Sequence, residues 1–505
     1  MPVERVGSSA QGQGKTVPVE EAALQLELPV ATAEDPQGSA RVMASNLSGT
    51  VCAGVPQAIV NAETAMPATM EEVVARLDEA LSKVSSNKGA PGPDGQTVEA
   101  LREQWPVVLP RLRAALLEGC YRPGVIRRAM IPKAGGGQRG LGIPNVVDRV
   151  VQEAVRQVLE PAWEPAFHPS SHGFRPGRSC HTAVAEAVQH LEDGYEWVVD
   201  LDLEKFFDRV HHQRLMAMLA CRVRDRRLLV LIGRMLKAGV VLPDGVLIGM
   251  EEGVPQGSPL SPLLSNIVLD ELDRELARRG HRFVRYADDA NIYVRSERAG
   301  LRVMSSVSQS IHRRLRLRVN ESKSAVAKPE NRHFLGFCLR KDPRAGTVEI
   351  LLSERTKRNA MARIRQLTPR TWGGSLERCI VRINVWLRGW HQFFRICSPR
   401  EKFTLRALDA HIRRRLRAIV LRHWKRRRTI VHRLIGLGVD LHAAWRSVYA
   451  GRKYTWALSH DPVVDRGMRN TYFAQHGLAS LVELHRAAHQ HIIAPVQHEP
   501  VLAPG

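Results

Sequence analysis

The chain has 505 residues, enough for roughly two to four domains, and its formal net charge of +23 is concentrated: residues 351–460 hold 26 Lys and Arg against 5 Asp and Glu, whereas residues 1–68 hold 3 basic and 7 acidic side chains. A positive surface of that size reads as nucleic-acid binding driven by counterion release, with an anionic membrane as the weaker alternative. Seven scattered cysteines with no CxxC pair exclude a structural zinc site and point to a reduced intracellular protein, and the most apolar stretch, 228–242, is interrupted by Arg234 and Lys237, which excludes a membrane span.

Residues 1–68 are rich in Gly, Ser, Ala, Val and Pro without a sustained period, the composition of a disordered leader. From Met70 the spacing of Val73, Val74, Leu77, Leu81 and Val84 predicts one helix with an apolar face. The stretch NKGAPGPDG (87–95) is a loop, and Leu101, Trp105, Val108, Leu112 and Leu116 mark a second helix. Residues 121–144 read as a hairpin turning at Gly135 to Gly137, with Lys133 on one arm and Arg139 just past the turn. Two cations over a glycine turn can grip phosphates, one as a point charge and the other as a planar fork. Two solvated cations on an exposed hairpin fit this segment equally well. A helix over 146–159 follows, then SHGFRPGRS (171–179), whose Arg175 and Arg178 flank a Pro-Gly turn able to track a nucleic-acid backbone.

In EWVVDLDLEKFFD (196–208), alternation puts Trp197, Val199, Leu201 and Leu203 on one strand face and Asp200 and Asp202 on the other. An acid at the end of an apolar strand is costly unless it binds something, and by period alone either aspartate could be a metal ligand. Phe206 and Phe207 follow on the turn, and plain core packing is the simpler meaning for Phe206. Helices are predicted over 212–219 and 226–238. The loop GVPQGSPLSP (253–262) admits neither helix nor strand; it ends with Ser261 as N-cap and Pro262 at the first helical position, followed by the stripe Leu264, Val268, Leu272 and Leu276. Gln256 and Gly257 could meet a template base or sugar.

The stretch HRFVRYADDANIYVR (281–295) reads as a hairpin with Asp288 and Asp289 at its tip. Mg²⁺ is held by one or two carboxylates and completes its shell with water and phosphates, so this tip suits phosphoryl chemistry. Taken alone, paired aspartates in a turn are most often simply solvated. LRLRVNESK (315–323) and FLGF (334–337) form two further short elements; Lys323 is either a proton donor to leaving pyrophosphate or an ordinary surface lysine. From 357 to 453 the chain is helical and basic, with tryptophans at 372, 386, 390, 424 and 445 that pack the helices or stack on unpaired bases, most of them assigned to core. From 461 onward one helical run (478–489) precedes a loose end, and no internal repeat is visible.

The motifs NKGAPGPDG, IPKAGGGQRGLGIP, SHGFRPGRS, DLEKFFD, GVPQGSPLSP, RYADD, LRVNESK, FLGF and RTWGGSLERCIVRINVWLRGWHQFF, in this order over about residues 70–490, resemble those of a group II intron-encoded reverse transcriptase and maturase. The resemblance implies an α+β right-hand polymerase with an antiparallel palm sheet and a helical thumb: fingers with part of the palm over 69–195, palm over 196–345, a basic intron-binding thumb over 346–460 and a C-terminal extension over 461–505. It implies that Asp202, Asp288 and Asp289 are catalytic and hold two Mg²⁺ ions, with Leu203 in the metal-holding set. Asp202 rather than Asp200 begins the family's D-x-x-x-x-F pattern, which makes Phe207 the gate against a ribose 2′-OH. Lys133, Arg139, Phe207 and Gln256 would bind the dNTP; Arg175, Gly257, Tyr286 and Lys323, with the primer grip at Phe334, Leu335 and Gly336, would meet template and primer. Arg413, Arg414, Arg415, Lys425, Arg426, Arg427 and Arg428 would bind RNA.

The implied partners are intron RNA, an RNA template, a DNA primer and dNTPs, in the cytoplasm and at the nucleoid during mobility, with no membrane. The paired cysteines of the HNH endonuclease found in larger members do not occur, so autonomous second-strand cleavage is not expected. The competing readings are an RNA-binding splicing chaperone with a vestigial polymerase site, and a domesticated, retron-like or defence-associated reverse transcriptase.

Overall fold

The structure is a computed structural model that describes residues 68–132, 137–451 and 454–493. The expected leader, apart from its last residue, and Lys133 lie outside the described residues. The helices are α1 (Met70–Ala75), α2 (Leu77–Ser86), α3 (Val98–Leu117), α4 (Val146–Trp163), α5 (Cys180–Glu192), α6 (His212–Ala220), α7 (Arg226–Leu236), α8 (Ser261–Arg278), α9 (Glu297–Ser310), α10 (Glu354–Leu367), α11 (Leu376–Phe394), α12 (Lys402–His423), α13 (Arg427–Gly436), α14 (Leu441–Tyr449), α15 (Thr455–Leu458), α16 (Pro462–Gly467), α17 (Asn470–Gln475) and α18 (Leu481–Ile493). The strands are β1 (Ile126–Pro132), β2 (Gln138–Ile143), β3 (Trp197–Leu201), β4 (Val240–Val241), β5 (Leu247–Ile248), β6 (Arg282–Tyr286), β7 (Asp289–Val294), β8 (Ala325–Ala327), β9 (Phe337–Lys341) and β10 (Val348–Leu352). Among the described residues no helix is long and apolar enough to cross a membrane.

The described chain forms two compact units. The first takes in the described residues up to Ile131, then Gln138–Pro165 and Phe207–Leu264. Its sheet has the order β2-β1-β4-β5, with β1 parallel to β4 and β4 antiparallel to β5. The one helix expected from Met70 is two: the chain leaves helical geometry at Arg76 (φ −93°, ψ 2°), yet Val73, Leu77, Leu81 and Val84 all stay buried across the break. Helix α4 is buried nearly all round and carries Asp148 inside, where the carboxylate accepts from Tyr121 Oη at 2.6 Å and the Gly124 N–H at 3.1 Å. Burial pushes that carboxyl up to about 6, against those hydrogen bonds.

The second unit takes in Ala166–Phe206 and the described residues from Ser265 onward. Its main sheet has the order β6-β7-β3-β8, antiparallel throughout. The expected one-sided alternation of β3 does not hold, because Val198 and Val199 are both buried. A central strand covered on both faces is apolar on both. Val198 faces the helical core, and Val199 lies by Gly300 of α9, where an added methyl would come within 2.4 Å of Val326 Cγ1. The stripe Leu264, Val268, Leu272 and Leu276 of α8 is buried as its spacing predicts.

One continuous core joins Ala183 and Leu191 of α5 to Val284 and Tyr293 of the sheet, and runs on through Phe337, Ile383, Leu416 and Leu434 to Leu481. The sheet and the basic helices are therefore one packed body. The segment after 461 is also part of it: the expected helical run is α18, two short helices that were not expected, α16 and α17, precede it, and Val464, Phe473 and Leu481 are buried, while the loose end expected after that run lies, from residue 494, outside the described residues. The start of α18 is tied to α12 by the buried Asp409, whose carboxylate accepts from the N–H groups of Leu481 (3.0 Å) and Val482 (3.2 Å) and from Ser480 Oγ (2.7 Å). Asp409→Ala is expected to cost about 1–3 kcal/mol. Hydrogen exchange should then accelerate in α18 while β3 and β7 stay protected; unchanged protection of α18 would refute the tie.

Candidate active site

The hairpin of β6 and β7 pairs Tyr286 with Asp289, which leaves Ala287 and Asp288 as a two-residue turn. The tip therefore differs in detail from the expected one: Asp288 sits in the turn and Asp289 already opens β7. Ala287 has φ 58°, a left-handed conformation that a non-glycine residue holds at some cost. On the other side β7 pairs with β3, Leu201 opposite Ala290, so the next step of the same register sets Asp202 against Asp289.

Asp202 follows the last residue of β3 and is fixed through its backbone. Its N–H donates to Ser324 Oγ at 3.0 Å and its carbonyl accepts from the Asn320 N–H at 2.8 Å. Its Oδ2 is buried and accepts no hydrogen bond among the described residues, with Lys323 Nζ 3.3 Å away as an ionic neighbour. Asp200 is engaged elsewhere: Arg332 donates to it through Nε at 2.8 Å and through Nη2, and also reaches the Lys323 carbonyl at 2.6 Å. Loss of hydration, then the negative charges of Asp288, Asp200 and Asp202, push the Asp289 carboxyl up to about 7 against Lys323, although the residue as a whole is solvent-exposed, which tempers the first of these causes.

An all-oxygen cluster with surplus negative charge and one oxygen lacking a donor fits a hard divalent cation. Among the described residues, however, no three His, Cys, Asp or Glu side chains already stand in an ion-holding arrangement. Leu203 has its side chain buried and bridges Val319, so only its main chain could face an ion.

What holds the turn is not legible in the sequence. Arg285, on β6, is fully buried and forms a two-point ion pair with Asp273 of α8 (Nε to Oδ1 2.7 Å, Nη2 to Oδ2 2.5 Å). Its remaining donors reach the Ala287 carbonyl at 2.8 Å, Asn266 Oδ1 at 3.0 Å and Ser171 Oγ at 2.7 Å. Asn266 donates in turn to the Gly173 carbonyl at 2.8 Å, and a methyl on Gly173 would lie 2.2 Å from the Ala287 nitrogen. The SHGF segment thus packs backbone against backbone on the turn that carries Asp288. His172 anchors that segment to α5 through Glu186 (2.7 Å) and Thr182 (2.9 Å). Burial opposes ionisation of Glu186, but hydrogen bonds from His172 and Ser170, with His190 as an ionic neighbour at 3.6 Å, outweigh it and hold the carboxyl well below the usual range.

Arg175 turns inward: Nη1 donates to the carbonyls of His168 (2.7 Å) and Ser171 (2.9 Å), and the guanidinium lies 5.4 Å from the Phe167 ring. Desolvation, then the neighbouring Cys180 thiol, pushes the Tyr286 hydroxyl up to about 12. Phe334 and Phe337 close a tight turn through reciprocal backbone hydrogen bonds of 3.0 and 2.8 Å, with Leu335 at φ 52° and Gly336 at φ 96°.

In the first unit Arg139 Nε donates to Gln256 Oε1 at 2.5 Å, and the Gly142 N–H donates to the Gln256 carbonyl at 2.6 Å. Gly257 has φ 113°, and a methyl there would meet the Gly142 carbonyl oxygen at 2.5 Å, so glycine is required. Phe207 is buried and its carbonyl accepts from the Val254 N–H at 2.6 Å.

Of the basic run, Arg413 and Arg414 are half-buried, and Lys425, Arg426 and Arg428 are exposed. Arg415 is a correction: it is buried, with Nε donating to Thr368 Oγ1 at 2.7 Å and to the Thr368 carbonyl at 3.0 Å, so it serves the fold rather than RNA. The stripe Leu408, Ile412, Leu416 and Ile419, which runs beside position 415, was the signal for that.

An antiparallel sheet that brings aspartates together at one end, with Asp288 in a clamped hairpin turn, belongs to a reverse transcriptase domain: residues 131–339 match the family model described as reverse transcriptase (RNA-dependent DNA polymerase). Residues 357–435 match the group II intron, maturase-specific domain. The chain is 39% identical to Protein YkfC of Escherichia coli over 40% of its own length and 55% of that protein's. It is 29% identical to the group II intron-encoded protein LtrA of Lactococcus lactis, covering 54% of this chain and 55% of LtrA. A putative COX1/OXI3 intron 2 protein of Saccharomyces cerevisiae is 31% identical over 46% of this chain and 26% of that one. The chain thus joins a reverse transcriptase domain to a maturase-specific domain and is homologous to group II intron-encoded proteins, while spanning only about half the length of the first two relatives.

Removing Arg285 alone strands a buried Asp273 charge. Arg285→Met is expected to lower the stability of the second unit by about 3–5 kcal/mol in urea unfolding. Arg285→Met with Asp273→Leu should recover most of that loss, and a double variant as unstable as the single would mean that the two groups are not a coupled pair.

Proposed function

We propose that the chain is an RNA-directed DNA polymerase that also binds its host group II intron RNA and assists its splicing and mobility. The observation that carries this reading is the pairing of Leu201 with Ala290, each next in sequence to an aspartate, Asp202 and Asp289, beside Asp288 in its turn, within a segment that matches the reverse transcriptase family. The proposed architecture is a right-hand polymerase: the first unit supplies most of the fingers, the sheet of the second is the palm, and the helices after β10 are the thumb.

Asp202, Asp288 and Asp289 are the proposed catalytic carboxylates, with the Leu203 main chain beside them. Two Mg²⁺ ions bound there would supply activation of the primer 3′-OH and neutralisation of the triphosphate and leaving pyrophosphate. The residues of the chain position the reactants. Arg139 and Gln256, already hydrogen-bonded, and Lys133 would hold the dNTP; Phe207 would exclude a ribose 2′-OH. Gly257, Tyr286 and the Phe334 to Gly336 turn would follow template and primer. Lys323, the cation nearest Asp202, is suited to donate a proton to pyrophosphate or to balance charge between turnovers. Arg175 would act through loop shape, since its Nη1 donates to the carbonyls of His168 and Ser171.

The test is primer extension on an RNA template with dNTPs and Mg²⁺. Wild type should extend the primer, and Asp288→Ala and Asp289→Ala should not. Phe207→Ala should incorporate ribonucleotides that wild type rejects. Splicing of the host intron at low Mg²⁺ should depend on the protein and survive both aspartate changes; loss of splicing in those variants would overturn the separation of the two activities.

A further inference from the structure

Four of the five tryptophans between 372 and 445 pack against the continuous core: Trp372, Trp386, Trp390 and Trp424. Trp445 does not, and it is the tryptophan among the exposed large apolar residues described, 38% accessible. It lies on α14 with Leu441 four residues before it and Tyr449 four after, 50% and 45% accessible, so three large apolar side chains share one outward face. The inward face is formed by Ala444, Ser447 and Val448. A short helix that turns its small residues inward and its largest outward is built for an external contact rather than for its own core.

The rings are also arranged. Trp445 and Tyr449 stack with centroids 5.1 Å apart and planes 22° from parallel, and the Arg427 guanidinium lies 5.8 Å from the Tyr449 ring centre. Arg427 is held there by donation from Nη1 to the Gly451 carbonyl at 3.3 Å. In the sequence around this face, residues 410–460 contain 13 Lys and Arg and a single acid, Asp440. That acid is spent locally, its carboxylate capping α14 at the Ala443 N–H (2.8 Å). A protein-binding patch has a centre depleted of charged residues other than Arg, within a polar rim. Stacked aromatics with a guanidinium beside them, in a segment rich in cations, match the other pattern, bases on rings and phosphates on Lys and Arg.

We propose that Trp445 and Tyr449 form a stacking platform for an unpaired base of single-stranded or bulged RNA, with Lys425, Arg426 and Arg428 holding the flanking phosphates. The proposal rests on the reading of the helical region as RNA-binding and adds to it a strand class: unpaired nucleotides rather than duplex. Bases in a duplex are already stacked on one another and have no face to offer a ring.

The test is fluorescence anisotropy with the full chain, a 20-nucleotide single-stranded RNA and a 20-base-pair duplex RNA. Trp445→Ala and Tyr449→Ala should each weaken single-strand binding roughly five- to one-hundred-fold and leave duplex binding and the salt dependence unchanged. Trp445→Phe should keep most of the affinity. Arg426→Ala with Arg428→Ala should weaken both RNAs and flatten the salt dependence. Both aromatics are exposed, so thermal melting should match wild type. If Trp445→Ala leaves single-strand affinity unchanged, or weakens duplex equally, the platform is refuted while RNA binding stands. Wild type that binds neither RNA would overturn both.

Discussion

Carboxylates gathered at one end of a sheet repel one another and lose hydration, so they stay together only where the backbone beneath them is over-determined. The second unit answers that constraint with a buried arginine. Arg285 joins Asp273 of α8, the carbonyl of Ala287 in the turn, and Ser171 of the preceding loop, and thereby fixes a left-handed alanine that local preference disfavours. The glycine at 173 lets the loop backbone close on the turn, and Asn266 bonds that loop in place. On the neighbouring strand, Asn320 and Ser324 grip the main chain of Asp202, while Arg332 holds Asp200 apart from the cluster.

The same core that supports the sheet supports the basic helices. Tyr293 and Val284 are buried with Ile383, Leu416 and Leu481 in one continuous cluster, so a disturbance of either part is felt in the other. The positive charge is divided along these lines. Arg285, Arg415 and Arg417 are inside and hydrogen-bonded to backbone or to acids, where they set geometry. Lys425, Arg426 and Arg428 point to solvent, where they remain free to meet an anion.

Much of this was legible in the chain because it is local. The every-fourth-residue stripe of α8 specified a buried helix face, and the acids between two β-favouring runs specified a hairpin. The break at Arg76 was not legible, since no proline or glycine marks it. Arg285 was hidden for a different reason: a charged residue between apolar neighbours in a strand reads as solvent-facing until its partners, twelve residues back on α8 and 114 back in a loop, are known. Helices α16 and α17 were not legible because they are short and their apolar residues sparse, so their stability comes from the core they dock on rather than from their own period.

The sequence by itself determined the chemistry on offer, namely three acids of the right kind, an excess of cations in one region and aromatics among them, because residue type and order are local properties. Tertiary structure decided which of these groups face one another, which arginines are buried as scaffold, and that Trp445 alone of its set looks outward, because burial and partnership depend on segments far apart in the chain.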